Sequence, residues 1–210
     1  MATASATVLH RLAHFSYRAL PKLALSIWAA LSLLISTSLA GGHWYSLPKP
    51  ERAAPQLSQA LARLRAPGER GWFDVHALYT HCRCSERIVR HLLERRPLGA
   101  LHEHVLLIGP QSDQADPLRA LGYRVHSVSA LQLKQTFGIS AVPLLMIADP
   151  RGRLHYAGGY TARKQGPEIL DRSIIRDTLN ARQPVELPVF GCAVSRELQK
   201  LLDPLALKYQ

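Results

Sequence analysis

An uncharged, mostly apolar run near the N-terminus constrains this chain more than any other feature. Residues 23–40 read LALSIWAALSLLISTSLA, and residues 1–22 before them carry Arg11, Arg18 and Lys22 without an acidic residue. A helix of that length spans about 27 Å, which is close to the hydrocarbon thickness of a bilayer. Cations ahead of the span predict that residues 1–22 form a cytoplasmic leader and that everything after residue 40 is exported.

Two interpretations of this span compete. It is either an uncleaved transmembrane anchor or a signal peptide cut after Ala40, where Ser38 and Ala40 form a small-x-small site. The 22-residue leader is long for a signal peptide, which favours the anchor. We therefore expect a single-pass membrane protein whose C-terminal domain is exported.

The remaining 170 residues are enough for one domain with a real core. Four prolines punctuate residues 41–71 around a short amphipathic stretch at 56–65, which predicts a linker containing one helix. We expect the domain itself at residues 72–182. Residues 183–210 would then form a C-terminal helical extension.

The strong positive charge does not predict a nucleic-acid partner. The net charge is +11 for the whole chain and +8 for the exported part, which has 23 Lys and Arg against 15 Asp and Glu. The arginines are scattered among acids, as in SERIVRHLLERR, and form no basic stripe interleaved with aromatic residues. Phosphate-binding loops and Ser-His-Asp patterns are also absent from the sequence as motifs.

From Trp72 onward, apolar strand-like runs alternate with amphipathic helical runs, which is typical of an α/β domain. A strand opening at Pro143 and a turn at DPRG predict a hairpin. We predict further strands at 75–80, 105–108, 123–128 and 154–157, and helices at 85–94, 116–121, 130–137 and 168–180.

The stretch YTHCRCSE at residues 79–86 holds two of the three cysteines. Cys82 falls where a predicted strand becomes a helix, and a helix N-terminus stabilises a thiolate and lowers its pKa. Cys84 can close a disulfide with Cys82. The alternative partner is Cys192, which we expect to open a helix at residues 193–202.

These elements, together with FGISAVPLLMIADPRGRLHYAGGY at residues 137–160, resemble the thioredoxin-like superfamily. The resemblance covers about residues 72–180, and the segment 105–128 is similar to the insertion of membrane-tethered periplasmic redoxins of the TlpA type. It implies a central mixed sheet flanked by helices, with a cis-proline loop. It also implies a place in the bacterial inner membrane, with the C-terminal domain in the periplasm.

The resemblance also implies roles for individual residues. Cys82 matches the nucleophilic cysteine, and Pro143 matches the cis-proline that faces it. The Val142 backbone would be open to an extended substrate chain. Ser85 stands where the family has its second cysteine, and Cys84 lies one residue earlier. A late Gly-Cys, found in a subset of such proteins, would make Cys192 a resolving cysteine.

The function that this implies is thiol–disulfide exchange with exported proteins. Protein disulfides or dithiols and a redox donor would be the partners, and no cofactor is expected. The main alternative is delivery of copper or another soft metal, bound by Cys82, Cys84, Cys192 and His81. A non-catalytic interaction domain is a third reading. His102 and His104 flank Glu103 and are predicted to be solvated.

Overall fold

A computed structural model describes residues 20–37, 46–109, 113–203, 206 and 209 of the chain. The chain divides into two units, Met1–Tyr45 and Ser46–Gln210. In the first unit, helix α1 covers Leu20–Thr37, has a mean hydropathy of 1.5 and is not buried. Its length and composition suit either a membrane anchor or a signal sequence. The expectations that rest on Arg11, Arg18, Ser38 and Ala40 lie outside the described residues.

The second unit contains a five-stranded mixed sheet flanked by helices, as the alternating pattern predicts. Its strands are β1 (Phe73–Tyr79), β2 (His102–Ile108), β3 (Arg124–Val128), β5 (Leu144–Ala148) and β6 (Leu154–Gly158), in the spatial order β3-β2-β1-β5-β6. Strands β1, β2 and β3 are parallel, whereas β5 and β6 are antiparallel to their neighbours. A separate two-stranded sheet pairs β4 (Ala141–Val142) with β7 (Cys192–Ala193).

The helices of this unit cover both faces of the sheet. They are α2 (Pro55–Arg63), α3 (Arg83–Arg95), α4 (Ala115–Ala120), α5 (Ala130–Phe137), α6 (Asp171–Leu179) and α7 (Arg196–Leu202). Side chains alternate along β1 because strand residues point to opposite faces. Phe73 and Val75 therefore join the core cluster that contains α2 and α5, whereas Leu78 joins the cluster that contains α3 and α6.

The segment predicted as a linker is part of the folded unit from Ser46 onward. Leu57, Ala60 and Leu61 of α2 are buried in the same cluster as Phe73. The sequence shows the apolar face of this helix, but it does not show that the sheet covers that face. Leu47 also bonds to the C-terminal segment, donating its N–H to the Val189 carbonyl at 2.8 Å.

The C-terminal extension begins as a strand rather than a helix. The prediction of a helix from residue 193 is wrong, because Ser195 is the N-cap and accepts a hydrogen bond from the Leu198 N–H at 3.3 Å. The backbone upstream of Ser195 bonds outside the helix: Val194 donates to the Ser140 carbonyl at 2.8 Å. Cys192 therefore lies in β7 and not at a helix N-terminus.

His104 is buried, and the prediction that it is solvated is wrong. One ring nitrogen lies 3.2 Å from the Glu69 carboxylate and the other lies 3.1 Å from a ring nitrogen of His126. Burial is the first cause that lowers the pKa of His104, to about 4. Because β2 is a central strand covered on both faces, its polar residues are buried together with its apolar ones.

Candidate functional site

The site lies where β1 passes into α3. Cys82 is the N-cap residue of α3, with extended backbone geometry. Its N–H donates to the Tyr79 carbonyl at 3.0 Å, and its own carbonyl accepts from the Glu86 N–H at 2.9 Å. The Cys82 side chain therefore sits at the positive end of the helix dipole. Only 1% of the residue is exposed.

The side chains of the other two cysteines lie against that of Cys82, and no disulfide joins the three. Hydrogen bonds from the side chains of Cys192 and Cys84 lower the pKa of the Cys82 thiol to about 2, against the opposing effect of burial. The backbone N–H groups of Ser85 and Cys84 also favour the anion. These two thiols and two amides therefore favour the thiolate form of Cys82.

Ser85, at the position of the expected second cysteine, has a structural contact. Its hydroxyl accepts a hydrogen bond from the Tyr79 N–H at 3.0 Å, and the residue is 1% exposed. The hydroxyl thus supports the turn that carries Cys82. It is Cys84 and Cys192 that bring sulfur to Cys82.

Cys192 reaches the site through the loop that carries Pro143. The Val142–Pro143 peptide bond is cis. Val142 pairs with Cys192, and Ala141 pairs with Ala193, in the antiparallel ladder of β4 and β7. The expectation that the Val142 backbone is open to an extended substrate chain is therefore wrong for this structure, because β7 occupies that edge.

Two glycines allow the C-terminal segment to lie close to the rest of the domain. A Cβ atom added at Gly191 would lie 2.0 Å from the Val142 carbonyl oxygen and 2.4 Å from Pro143 Cδ. A Cβ atom at Gly159 would lie 2.0 Å from the Pro188 carbonyl oxygen. Contacts this short with backbone atoms cannot be relieved by a side-chain rotation, so glycine is needed at both positions.

We expect Gly191→Ala to displace β7 and to destabilise the protein by about 1–3 kcal/mol, the usual cost of overpacking. Iodoacetamide should then alkylate Cys82 faster under native conditions. The matched control is Gly166→Ala, where the nearest atom to an added Cβ lies at 3.1 Å. Urea titration and peptide-resolved alkylation measure both effects. Equal stability and equal alkylation rates in the two variants would contradict the close packing of β7 against the Pro143 loop.

A cavity of about 160 Å³ opens beside Cys84. Its lining includes Arg83, Cys84, Arg87, Pro143, Tyr160 and Phe190. Cys84 and Cys192 are partly exposed, in contrast to the buried Cys82. The site therefore has one thiolate inside and two thiols nearer to the surface.

His81 does not join the sulfurs in a compact donor group. It is exposed, and its ring packs edge-on against Tyr79 at 5.7 Å between centroids. Among the described residues, the donor group whose atoms all lie within 4.8 Å of one another is Asp74, His76 and Glu103. The expected metal set of Cys82, Cys84, Cys192 and His81 thus differs from the group that the fold assembles.

That second group is a buried charged cluster, which sequence reasoning missed. The His76 Nε2 atom lies 3.3 Å from Asp74 and 3.4 Å from Glu103. Arg95 donates to Glu103 at 2.5 Å and to Asp171 at 2.7 Å. We use the name charged cluster for Asp74, His76, Arg95, Glu103 and Asp171. Because Arg95 already bonds to Glu103 of the donor group, we propose no metal there.

Protonation within the charged cluster is set by burial and by its own charges. Burial raises the pKa of Asp74 to about 6. Burial alone would lower the pKa of His76, but Asp74 raises it to about 9. His76 also connects the cluster to the cavity, since its Nδ1 lies 2.8 Å from the hydroxyl of Tyr160.

Comparison with known proteins assigns neither a family nor an activity. No family model matches the chain, and no curated protein matches it. A hypothetical protein from Sinorhizobium meliloti 1021 is similar in structure, with 15% identity and a TM-score of 0.45 over 72% of this chain and 91% of that one. An uncharacterized conserved protein from Geobacillus kaustophilus shows 13% identity and a TM-score of 0.41, over 60% and 77% of the two chains.

Proposed function

We propose that this protein is a thiol–disulfide oxidoreductase with a thioredoxin-like domain. One observation carries the proposal: the Cys82 sulfur, at the N-terminus of α3, is hydrogen-bonded to the thiols of both Cys84 and Cys192. The nucleophile in disulfide exchange is a thiolate, and the exchange needs a second thiol within bonding reach to release the substrate. The site provides both.

The chemistry follows from these contacts. When the protein reduces a disulfide, two protein thiols become one internal disulfide and the substrate disulfide becomes two thiols. Cys82 takes part in that internal bond with either Cys84 or Cys192, because its sulfur contacts both. In the opposite direction Cys82 is the better leaving group, since a thiol of low pKa leaves faster.

The arrangement of the fold supports the thioredoxin-like assignment. Cys82 follows central strand β1, and the Pro143 loop leads into antiparallel strand β5 beside it. The metal-delivery alternative has less support, because the three sulfurs are not the donor group that lies within 4.8 Å. No observation on the described residues favours a purely non-catalytic domain over exchange.

We further propose that α1 anchors the domain in the bacterial inner membrane, with the catalytic unit in the periplasm. The oxidising compartment would let the cysteines cycle between thiol and disulfide forms. Exported proteins with disulfides or dithiols and a separate redox donor would be its partners. Helix α1, with its mean hydropathy of 1.5, supports the anchor.

Turnover is the direct test of this function. The purified full chain in nonionic detergent should accelerate disulfide exchange between dithiothreitol and bis(2-hydroxyethyl) disulfide, a neutral substrate. A Cys82→Ser/Cys84→Ser/Cys192→Ser variant is the control for background exchange. Equal rates for the two proteins would remove the proposed function.

A further inference from the structure

The thiolate of Cys82 is covered on the side where an exchange partner would approach. Cys82 is 1% exposed, and β7 pairs with the Val142 backbone beside it. Val189 and Ala193, on either side of Cys192, are fully buried, which makes this segment part of the core rather than a loose flap. An external reagent must therefore meet another sulfur first.

Cys84 is the sulfur that the cavity presents. It lines the cavity of about 160 Å³, whereas Cys82 and Cys192 are not among the lining residues. That volume lies below the roughly 300 Å³ at which pockets for drug-sized ligands begin. The occupant is therefore a small group and not a folded loop. The edge of β4, which an extended chain would need, is already paired.

The charge of the cavity selects the chemistry of the occupant. Arg83 and Arg87 line it, and none of the described lining residues is acidic. Arg87 is oriented by a 2.6 Å hydrogen bond to the Pro167 carbonyl. Guanidinium groups bind carboxylates well because their planar donors match the carboxylate oxygens. Pro143 and Phe190 provide apolar walls beside the thiol.

Building on the proposed function, we propose that small thiols and disulfides carrying a carboxylate near the sulfur exchange with this protein at Cys84. Cys82 acts behind Cys84 as the internal partner. The substrate class is thus a low-molecular-weight anionic thiol, used as the redox donor or produced from its disulfide.

The exchange balances as follows. In the oxidised protein, an incoming thiolate attacks Sγ of Cys84, the bond between Cys84 and Cys82 breaks, and Cys82 leaves as a thiolate. A second incoming thiolate attacks the substrate sulfur of the mixed disulfide. The two small thiolates leave as one disulfide, and Cys84 takes a proton from water. Two small thiols are oxidised and one protein disulfide is reduced to two thiols; the reverse reaction retraces these steps.

Two variants of the full chain in nonionic detergent test the entry point. Cys82→Ser/Cys192→Ser keeps only Cys84, and Cys84→Ser/Cys192→Ser keeps only Cys82. The serine hydroxyls at positions 84 and 192 can still donate hydrogen bonds to the Cys82 sulfur, so a slower reaction of the Cys82 variant reports its restricted access. With 3,3′-dithiodipropionate, we expect the Cys84 variant to form the mixed disulfide about tenfold faster or more. A faster reaction in the Cys82 variant would overturn the proposal.

A charge series tests the substrate class on wild-type protein. The probes are 3,3′-dithiodipropionate (anionic), bis(2-hydroxyethyl) disulfide (neutral) and cystamine (cationic). The exchange rate of each probe with the protein is divided by its exchange rate with the reference thiol N-acetylcysteine amide. At low salt we expect the anionic probe to react about five- to tenfold faster than the neutral one and the cationic probe to react slowest. Arg83→Gln/Arg87→Gln should abolish this order, whereas Arg90→Gln, an exposed residue of the same helix, should keep it.

These outcomes separate the two proposals. Exchange of the neutral probe without any charge preference would overturn the anionic substrate class and leave the oxidoreductase function standing. If peptide mapping of quenched wild-type reactions finds the mixed disulfide on Cys192, the proposed entry at Cys84 is overturned. The oxidoreductase function again stands. Absence of exchange with all three probes would overturn the oxidoreductase function itself.

Discussion

Replacing Cys82 by serine should slow catalysed disulfide exchange by about tenfold or more, because Cys84 then has no thiolate partner with which to form and break the internal disulfide. The Cys82 sulfur contacts both other thiols and two backbone amides at the start of α3. The measurement is the steady-state exchange rate with dithiothreitol and a small disulfide, and far-ultraviolet circular dichroism confirms folding.

The matched controls are single serine substitutions at the other two cysteines. Cys84→Ser removes the sulfur at which substrates are proposed to enter, so it should also lose most of the rate. Cys192→Ser should keep a substantial part of the rate. Retention of full activity in a folded Cys82→Ser variant would contradict the role of this residue.

Replacing Arg95 by methionine should destabilise the protein by about 3–5 kcal/mol, because it leaves buried carboxylates without their counter-ion. The Arg95 guanidinium bonds to Glu103 and Asp171, whose side chains have no exposed surface. Burial alone would raise the pKa of Glu103, but hydrogen bonds with His76 and Arg95 lower it to about 2. Urea titration followed by tryptophan fluorescence measures the free energy of unfolding.

Arg90→Met is the control for this prediction. Arg90 lies on the same helix and pairs with Glu86 at 3.5 Å, but both side chains are more than half exposed. Exposed pairs of this kind contribute little, so the change should stay within about 0.5 kcal/mol of wild type. Similar losses in the two variants would show that the charged cluster does not depend on Arg95.

Local patterns predicted most of the elements of the second unit. The amphipathic stretch at 130–137 is a helix with those bounds, since Ser129 caps its start and Gly138, with φ of 68°, ends it. The DPRG turn forms as expected, with the Gly152 N–H donating to the Asp149 carbonyl at 2.8 Å. Each of these features is decided by residues close together in the chain, which is why sequence reasoning can find them.

Features that depend on distant pairing were not predictable in the same way. The position of Cys192 opposite Val142 depends on the close approach that Gly191 allows, and a single Gly-Cys pair does not specify its partner strand. The charged cluster was hidden for another reason. In FDVHALY, the alternation of Asp74 and His76 with apolar residues suggests a solvated strand face, until Arg95 from α3 covers it.

The oxidised form of the protein tests the central claim most directly. After equilibration in glutathione or dithiothreitol redox buffers, the alkylated and digested protein should contain one disulfide that includes Cys82, joined to Cys84 or Cys192. This disulfide should titrate as a single two-electron couple. The account is contradicted if all three cysteines remain alkylatable under oxidising conditions, or if the reduced protein holds a stoichiometric metal ion that protects the three thiols together.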